Sequence, residues 1–131
     1  MTVLIVDDQA PFRLAAAAVV AATGGFDLVA TAGSGEEALQ LARSLVPDLV
    51  LMDVQLPGID GWEATRLLTA LPAPPLVLVL SGADVADAEE RVVASGAVGY
   101  VPKAAFGPGD LIRAGAAARA GPGAPRPEPG T

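Results

Sequence analysis

Carboxylates that follow short apolar runs are the residues of this chain best suited to chemistry. Asp7 and Asp8 follow the apolar run "TVLIV", and Asp53 follows the largely apolar run "DLVLM". The chain has no cysteine and no histidine, which excludes disulfides, thiolate nucleophiles, imidazole bases and the usual zinc ligands. Carboxylates, hydroxyl groups and lysine must therefore carry any reaction.

Three neighbouring carboxylates need a cation, because two unit charges ~4 Å apart repel by about 4 kcal/mol at an effective dielectric constant near 20. Oxygen ligands favour Mg²⁺, which also leaves a coordination position for a phosphate oxygen. A carboxylate beside such a metal can attack phosphorus and form an acyl phosphate. Asp53 is the candidate nucleophile. Lys103 would offset charge on the transferred phosphoryl group, and the Ser81 hydroxyl would hydrogen-bond one of its oxygens.

Five short apolar runs alternate with segments of helical period, which predicts an α/β fold with a buried parallel sheet. The runs begin at Thr2, Asp27, Asp48, Leu76 and Gly99. Right-handed crossovers would bring the carboxyl ends of all five strands to one edge, where sheets of this kind bind ligands. The polar residues expected at that edge are Asp7, Asp8, Asp53, Ser81 and Lys103.

Capping signals and apolar periodicity locate the helices. The first helix carries Pro11 near its start and Phe12 on its apolar face. Capping boxes begin the second helix at Ser34 and the third at Asp60. The fourth and fifth helices are predicted over residues 84–95 and 110–120.

The length and composition of the chain predict one domain over residues 1–120. The segment 121–131 is rich in Pro and Gly, which predicts a disordered tail or linker. A net charge of −7 argues against general binding to nucleic acid or anionic lipid. The longest apolar helical stretch, from Leu14, is far shorter than a bilayer span, and no signal peptide is evident. We therefore expect a cytoplasmic protein with no membrane contact.

Taken together in this order, the polar residues resemble the receiver domain of two-component response regulators, especially the NarL/FixJ type. The resemblance covers roughly residues 2 to 119. It depends on the acidic pair after the first strand, Asp53 followed by "LPGIDG", Ser81 beside a small Gly82, and Tyr100 three residues before Lys103. It implies a flavodoxin-like (βα)5 three-layer sandwich with strand order 2-1-3-4-5.

The resemblance also implies a function. Asp53 would accept a phosphoryl group from a phosphohistidine of a sensor histidine kinase or phosphotransfer protein. The implied Mg²⁺ ligands are Asp8, Asp53 and the backbone carbonyl of Gln55, with Asp7 acting through water. Ser81 and Tyr100 would form the switch pair. The face of the fourth helix, fifth strand and fifth helix would then change contacts with an effector protein or a second copy of the chain.

One residue departs from the pattern of these receivers. They usually have proline after the lysine, joined through a cis peptide, whereas Ala104 follows Lys103 here. A cis bond without proline costs about 2.5 to 4 kcal/mol. The conformation of this peptide therefore remains open from the sequence alone.

Two other functions compete with a phosphorylation switch. The first is a Mg²⁺-dependent phosphatase or phosphotransferase with an aspartyl nucleophile. Such phosphatases commonly need a second carboxylate two residues after the nucleophile, where this chain has Gln55, so we favour a phosphoacceptor that is not an enzyme. The second is a nucleotide or flavin binder, which ranks last because the loop "DDQAPF" has no glycine and carries two negative charges.

Overall fold

Strands and helices alternate through residues 1–120, the part of the chain that the computed structural model describes. The strands are β1 (Thr2–Val6), β2 (Asp27–Ala32), β3 (Leu49–Asp53), β4 (Leu76–Ser81) and β5 (Gly99–Pro102). The helices are α1 (Ala10–Ala22), α2 (Gly35–Leu45), α3 (Gly61–Thr69), α4 (Ala88–Ser95) and α5 (Pro108–Ala120), and a short 3-10 helix spans Lys103–Ala105. The sheet is parallel in the order β2-β1-β3-β4-β5, which confirms the predicted topology.

Alternating side chains of the three central strands supply two apolar cores, one on each face of the sheet. Leu4, Val50 and Val79 face α2, α3 and α4, whereas Ile5 and Leu51 face α1 and α5. Fully burying such a side chain stabilises the fold by about 1.5 to 3 kcal/mol. The expectation of a sheet covered on both faces holds for β1, β3 and β4. The edge strand β2 is more exposed, because it has a neighbour on one side only.

Both predicted capping boxes begin a helix. The Ser34 hydroxyl accepts a hydrogen bond from the Glu37 amide at 3.1 Å, and the Asp60 carboxylate accepts one from the Glu63 amide at 2.8 Å. These bonds satisfy amides at the helix N-termini that have no partner within the helix. The cap at Asp60 fixes where the chain turns from the end of β3 into α3.

Two helix starts differ from the sequence prediction. α4 begins at Ala88 instead of residue 84, because Asp87 has a left-handed backbone with φ of 58° and interrupts any helix that starts earlier. α5 begins two residues earlier than Asp110, at Pro108, whose fixed φ suits a first helical turn. The Asp110 carboxylate accepts a hydrogen bond from the Gly107 amide at 2.9 Å, across this turn.

The predicted tail of residues 121–131 lies outside the described residues. Within residues 1–120, no helix is long and apolar enough to cross a membrane.

Candidate functional site

The candidate site lies at the carboxyl edge of the sheet, where four adjacent strands end. Asp7 and Asp8 follow β1, Asp53 is the last residue of β3, Ser81 is the last of β4, and Lys103 follows β5. The strand order places these ends side by side, so residues distant in sequence meet here. The predicted convergence of polar residues is therefore present in the fold.

Three carboxylates form the acidic part of the site. Asp7, Asp8 and Asp53 can each offer one oxygen such that all three atoms lie within 4.8 Å of one another. Asp7 is fully buried and Asp53 is 5% exposed, whereas Asp8 is open to solvent. The cluster therefore contains two buried carboxylates, Asp7 and Asp53, and one that a ligand can reach, Asp8.

The ammonium group of Lys103 bridges the two buried carboxylates. Its Nζ atom lies 2.5 Å from Asp7 Oδ2 and 3.4 Å from Asp53 Oδ2. One ammonium faces three carboxylates, so the cluster stays negative when all of them are ionised. This excess charge, with donors that are all oxygen, suits a hard divalent cation such as Mg²⁺.

The surroundings of Asp53 disfavour its charged form. Burial raises the pKa of its carboxyl, and the negative charge of Asp7 raises it further. Lys103 and a hydrogen bond from the Gln55 amide, at 3.3 Å, act in the opposite direction without cancelling the rise. A second positive charge near Asp53 would therefore favour its ionised, nucleophilic form.

The first turn of α1 holds Asp7 in place. The Gln9 amide donates to Asp7 Oδ1 at 2.8 Å, and the Arg13 guanidinium donates to the Asp7 carbonyl at 2.6 Å. The carboxylate of Asp8 makes no hydrogen bond with any residue of the described range. Asp7 is thus fixed by the protein, whereas Asp8 keeps its oxygens free for a ligand.

Two glycines shape the loop between β3 and α3. Gly61 packs so closely against the Asp53 carbonyl that a Cβ atom would overlap it, and its amide donates to the Val54 carbonyl at 2.8 Å. Gly58 has φ of 77° and lies against the Glu36 carboxylate, which accepts a hydrogen bond from the Ile59 amide at 3.4 Å. The sequence "PGIDG" therefore folds the loop back under Asp53 and fixes the backbone that carries Gln55.

Ser81 and Tyr100 share one hydrogen-bond acceptor. The Ser81 hydroxyl donates to the Ala83 carbonyl at 2.8 Å, and the Tyr100 hydroxyl donates to the same oxygen at 3.2 Å. The Tyr100 ring packs against the core on the α4 side of the sheet. The two side chains predicted as a pair are therefore linked through the backbone of the β4–α4 loop.

The peptide between Lys103 and Ala104 is trans, as is every peptide bond within residues 1–120. The chain enters the 3-10 helix directly after Pro102, and the Phe106 amide donates to the Lys103 carbonyl at 3.2 Å. The structure thus answers the question that the sequence left open about this loop.

Sequence reasoning did not give Phe12 a place in the site. Its ring lies beneath the Lys103 ammonium, with 4.6 Å between Nζ and the ring centroid. Helical periodicity assigned Phe12 to the apolar face of α1, and the ring does contact the core on that side. The one feature of the sequence that could have indicated a place in the site is the position of Phe12 in the first helical turn after Asp7 and Asp8.

An open groove of about 740 Å³ adjoins the carboxylates, between the β3–α3 loop and the start of α4. The residues that line it include Asp8, Gln55, Trp62 and Arg91. Trp62 is buried, and its Nε1 atom has no hydrogen-bond partner among the described residues. The site is therefore accessible from this side to a side chain or a small molecule.

Comparison with known proteins gives one consistent family. Residues 3–114 match the family model of the response regulator receiver domain. Response regulator GacA of Pseudomonas aeruginosa is 41% identical over 103 residues, which cover 79% of this chain and 48% of that protein. GacA of Pseudomonas viridiflava is 39% identical over 112 residues, which cover 86% of this chain and 52% of that protein. The chain thus spans about half the length of these curated relatives.

Solved structures agree with the family match. A LuxR-family two-component response regulator from Aurantimonas sp. SI85-9A1 has a TM-score of 0.79 and 32% identity, covering 96% of this chain and 89% of that chain. The signal receiver domain of the putative response regulator NarL from Mycobacterium tuberculosis has a TM-score of 0.80 and 26% identity. That match covers 92% of this chain and 96% of the other.

Proposed function

The chain belongs to the family of response regulator receiver domains, and we propose that Asp53 is the residue that accepts the phosphoryl group. A carboxylate oxygen of Asp53 would attack the phosphorus of a phosphohistidine on a sensor histidine kinase or phosphotransfer protein. The bond between phosphorus and the imidazole nitrogen would break as the acyl phosphate forms. The observation that carries this proposal is the contact of buried Asp53 with Lys103, beside two further carboxylates at one sheet edge.

Lys103 and Ser81 are the proposed partners of the transferred group. The Lys103 ammonium, 3.4 Å from Asp53 Oδ2, would neutralise charge on the phosphoryl oxygens. Ser81 ends the strand next to β3, which supports a role in which its hydroxyl leaves the Ala83 carbonyl and donates to one of these oxygens. Lys103 would act through its charge and Ser81 through a hydrogen bond, and neither would form a bond to phosphorus.

Mg²⁺ is the proposed cofactor. Its ligands would be the carboxylates of Asp8 and Asp53 and the backbone carbonyl of Gln55, with Asp7 reached through water. The oxygen-only donors and the excess negative charge of the cluster support this choice. When bound, the metal supplies positive charge that screens the carboxylates and the phosphoryl oxygens.

Phosphorylation would act as a switch on protein contacts. The phosphoryl group adds a charge of about −1.5 to −2 close to Lys103 and Ser81. If Ser81 turns to this group, Tyr100 remains as the side-chain donor to Ala83, and the β4–α4 loop moves with it. The surface formed by α4, β5 and α5 would then change contacts with an effector protein or a second copy of the chain. The proposed location of the protein is the cytoplasm.

A phosphatase built on the same residues is the alternative. Turnover needs a group that delivers and removes protons beside the nucleophile, and an amide such as Gln55 cannot do this. We therefore propose one phosphoryl transfer per chain instead of repeated hydrolysis. Many turnovers on a generic aryl phosphate would favour the phosphatase.

Intact-mass measurement tests the proposal. The chain is incubated with acetyl phosphate and Mg²⁺, and Asp53→Ala serves as the control. We expect the wild-type chain to gain the mass of one phosphoryl group and the variant to gain none. An unchanged wild-type mass, or an equal gain by the variant, would rule out Asp53 as the acceptor.

A further inference from the structure

Lys103 is the only lysine of the chain, and its flexible stem must keep one ammonium at the phosphoacceptor. Such a side chain loses about 2 kcal/mol of rotamer entropy when it is fixed in one position. Asp7 holds the ammonium at 2.5 Å, whereas Asp53 is farther away at 3.4 Å. Asp53 also exchanges partners when it reacts, so it is a poor permanent anchor. A second fixed contact would add to the ion pair with Asp7 in keeping Lys103 directed at this edge.

The ring of Phe12 provides that contact. It lies 4.6 Å from the Lys103 ammonium, within the range of a cation–π interaction. The ring is itself fixed, because Phe12 lies in the first turn of α1, its amide donates to the Gln9 carbonyl at 3.1 Å, and its side chain packs against the core. Lys103 is mostly shielded from water, with a side chain 14% exposed, so the attraction is weakly screened.

A ring serves this purpose better than another acid would. The site already contains three carboxylates, and a fourth would increase the repulsion at Asp53 and compete for any bound cation. The face of an aromatic ring attracts an ammonium without adding net charge. A contact with the Phe12 ring can therefore restrain Lys103 while the charge of the site stays unchanged.

We propose that Phe12 is a positioning residue, which holds the Lys103 ammonium against the phosphoacceptor through the face of its ring. This inference depends on the proposed function, since it concerns the same phosphoryl transfer. Phe12 touches neither the phosphoryl group nor the attacking oxygen and acts through Lys103.

A double-mutant cycle separates this role from simple packing. Phe12→Leu keeps an apolar side chain but removes the ring, Phe12→Tyr keeps the ring, and Lys103→Met removes the charge. We expect Phe12→Leu to slow phosphorylation by acetyl phosphate about fivefold, which corresponds to the ~1 kcal/mol of such a contact. Phe12→Tyr should stay close to the wild-type rate, and Phe12→Leu should cause no further loss in the Lys103→Met background. An equal loss in both backgrounds, or no loss in either, would overturn the proposal.

Lysine-selective isotope labelling gives a readout that does not depend on phosphorylation. Because Lys103 is the only lysine, one set of side-chain resonances reports on it. Protons above an aromatic ring shift upfield, so the Lys103 Cε protons should lie upfield in the wild type and in Phe12→Tyr. An unshifted resonance in the wild type overturns the contact even if Phe12→Leu fails to fold. If the wild type takes no phosphoryl group, the proposed function fails, whereas this shift still decides the contact.

Discussion

Asp53 is held in a place that disfavours its charge. It is 5% exposed, and both its burial and the neighbouring Asp7 raise the pKa of its carboxyl. The folded chain therefore binds a proton at Asp53 more tightly than the unfolded chain does. Stability from this residue is greatest at low pH and is lost as pH rises from the unfolded pKa through the folded pKa.

Replacing the charge by a neutral amide should therefore stabilise the fold at neutral pH. For Asp53→Asn in metal-free buffer we expect the free energy of unfolding to rise by about 1 kcal/mol at pH 7, within the range of single stabilising substitutions. The difference from the wild type should shrink as the pH is lowered and Asp53 takes up its proton. Denaturant unfolding at several pH values measures this, and Asp27→Asn, at an exposed carboxylate of β2, is the control. A less stable Asp53→Asn at pH 7 would contradict the account.

At the scale of elements, the β3–α3 loop determines how the site is built. The loop carries Gln55 and turns back so that the backbone of Gly61 meets the Asp53 carbonyl. The turn and the helix cap that follow β3 keep the backbone of Asp53 fixed. The strand can therefore end on a charged residue.

The loop should not accept a side chain at Gly61. For Gly61→Ala we expect a loss of roughly 2 kcal/mol in the free energy of unfolding, as is usual when a packed site must shift to admit a methyl group. Gly24→Ala is the matched control, because a Cβ there meets no atom within 4 Å. Thermal or denaturant unfolding compares the two variants. Equal stabilities for both would show that the close packing at Gly61 has no energetic consequence.

The sequence was sufficient to predict elements whose signals are local. Alternating apolar runs identified five strands, and capping residues such as Ser34 and Asp60 located two helix starts. The predicted start of α4 was wrong, because the true start depends on the left-handed backbone of Asp87. An aspartate in the sequence does not by itself indicate that conformation.

Some long-range contacts within the site could not be predicted from the sequence, for a different reason. The acidic residues could be placed at one sheet edge, because parallel strands share that edge. The bond from Tyr100 to the Ala83 carbonyl and the contact of Phe12 with Lys103 depend instead on loop conformation and side-chain rotamers. Residue types and spacing do not determine these.

At the scale of the whole molecule, several large apolar side chains remain exposed, and those on α1, α4 and α5 are the most exposed of them. Val93 on α4 and Ile112 on α5 are 74% and 54% exposed, on the surface proposed to change contacts. Leu14 on α1 is also 74% exposed, outside that surface. Val93 and Leu14 are equally exposed, so a charge introduced at either one tests its own surface separately.

We expect phosphorylation to promote self-association through the α4 side. Val93→Asp should abolish a phosphorylation-dependent increase in molar mass, measured by size-exclusion chromatography with light scattering, because a charge cannot be buried there without a partner. Leu14→Asp, with the same exposure on α1, should leave the increase intact. Loss of association in Leu14→Asp alone would place the contact on α1.

The central claim is that one particular carboxylate takes the phosphoryl group, and borohydride trapping tests it most directly. An aspartyl phosphate is an acyl phosphate, which borohydride reduces to homoserine, so the modified residue can be located by peptide mass spectrometry. After exposure to acetyl phosphate and Mg²⁺, we predict homoserine at position 53 and unchanged aspartate at positions 7 and 8. Homoserine at either of those positions, or none at position 53 in a chain that has gained phosphoryl mass, would contradict the account.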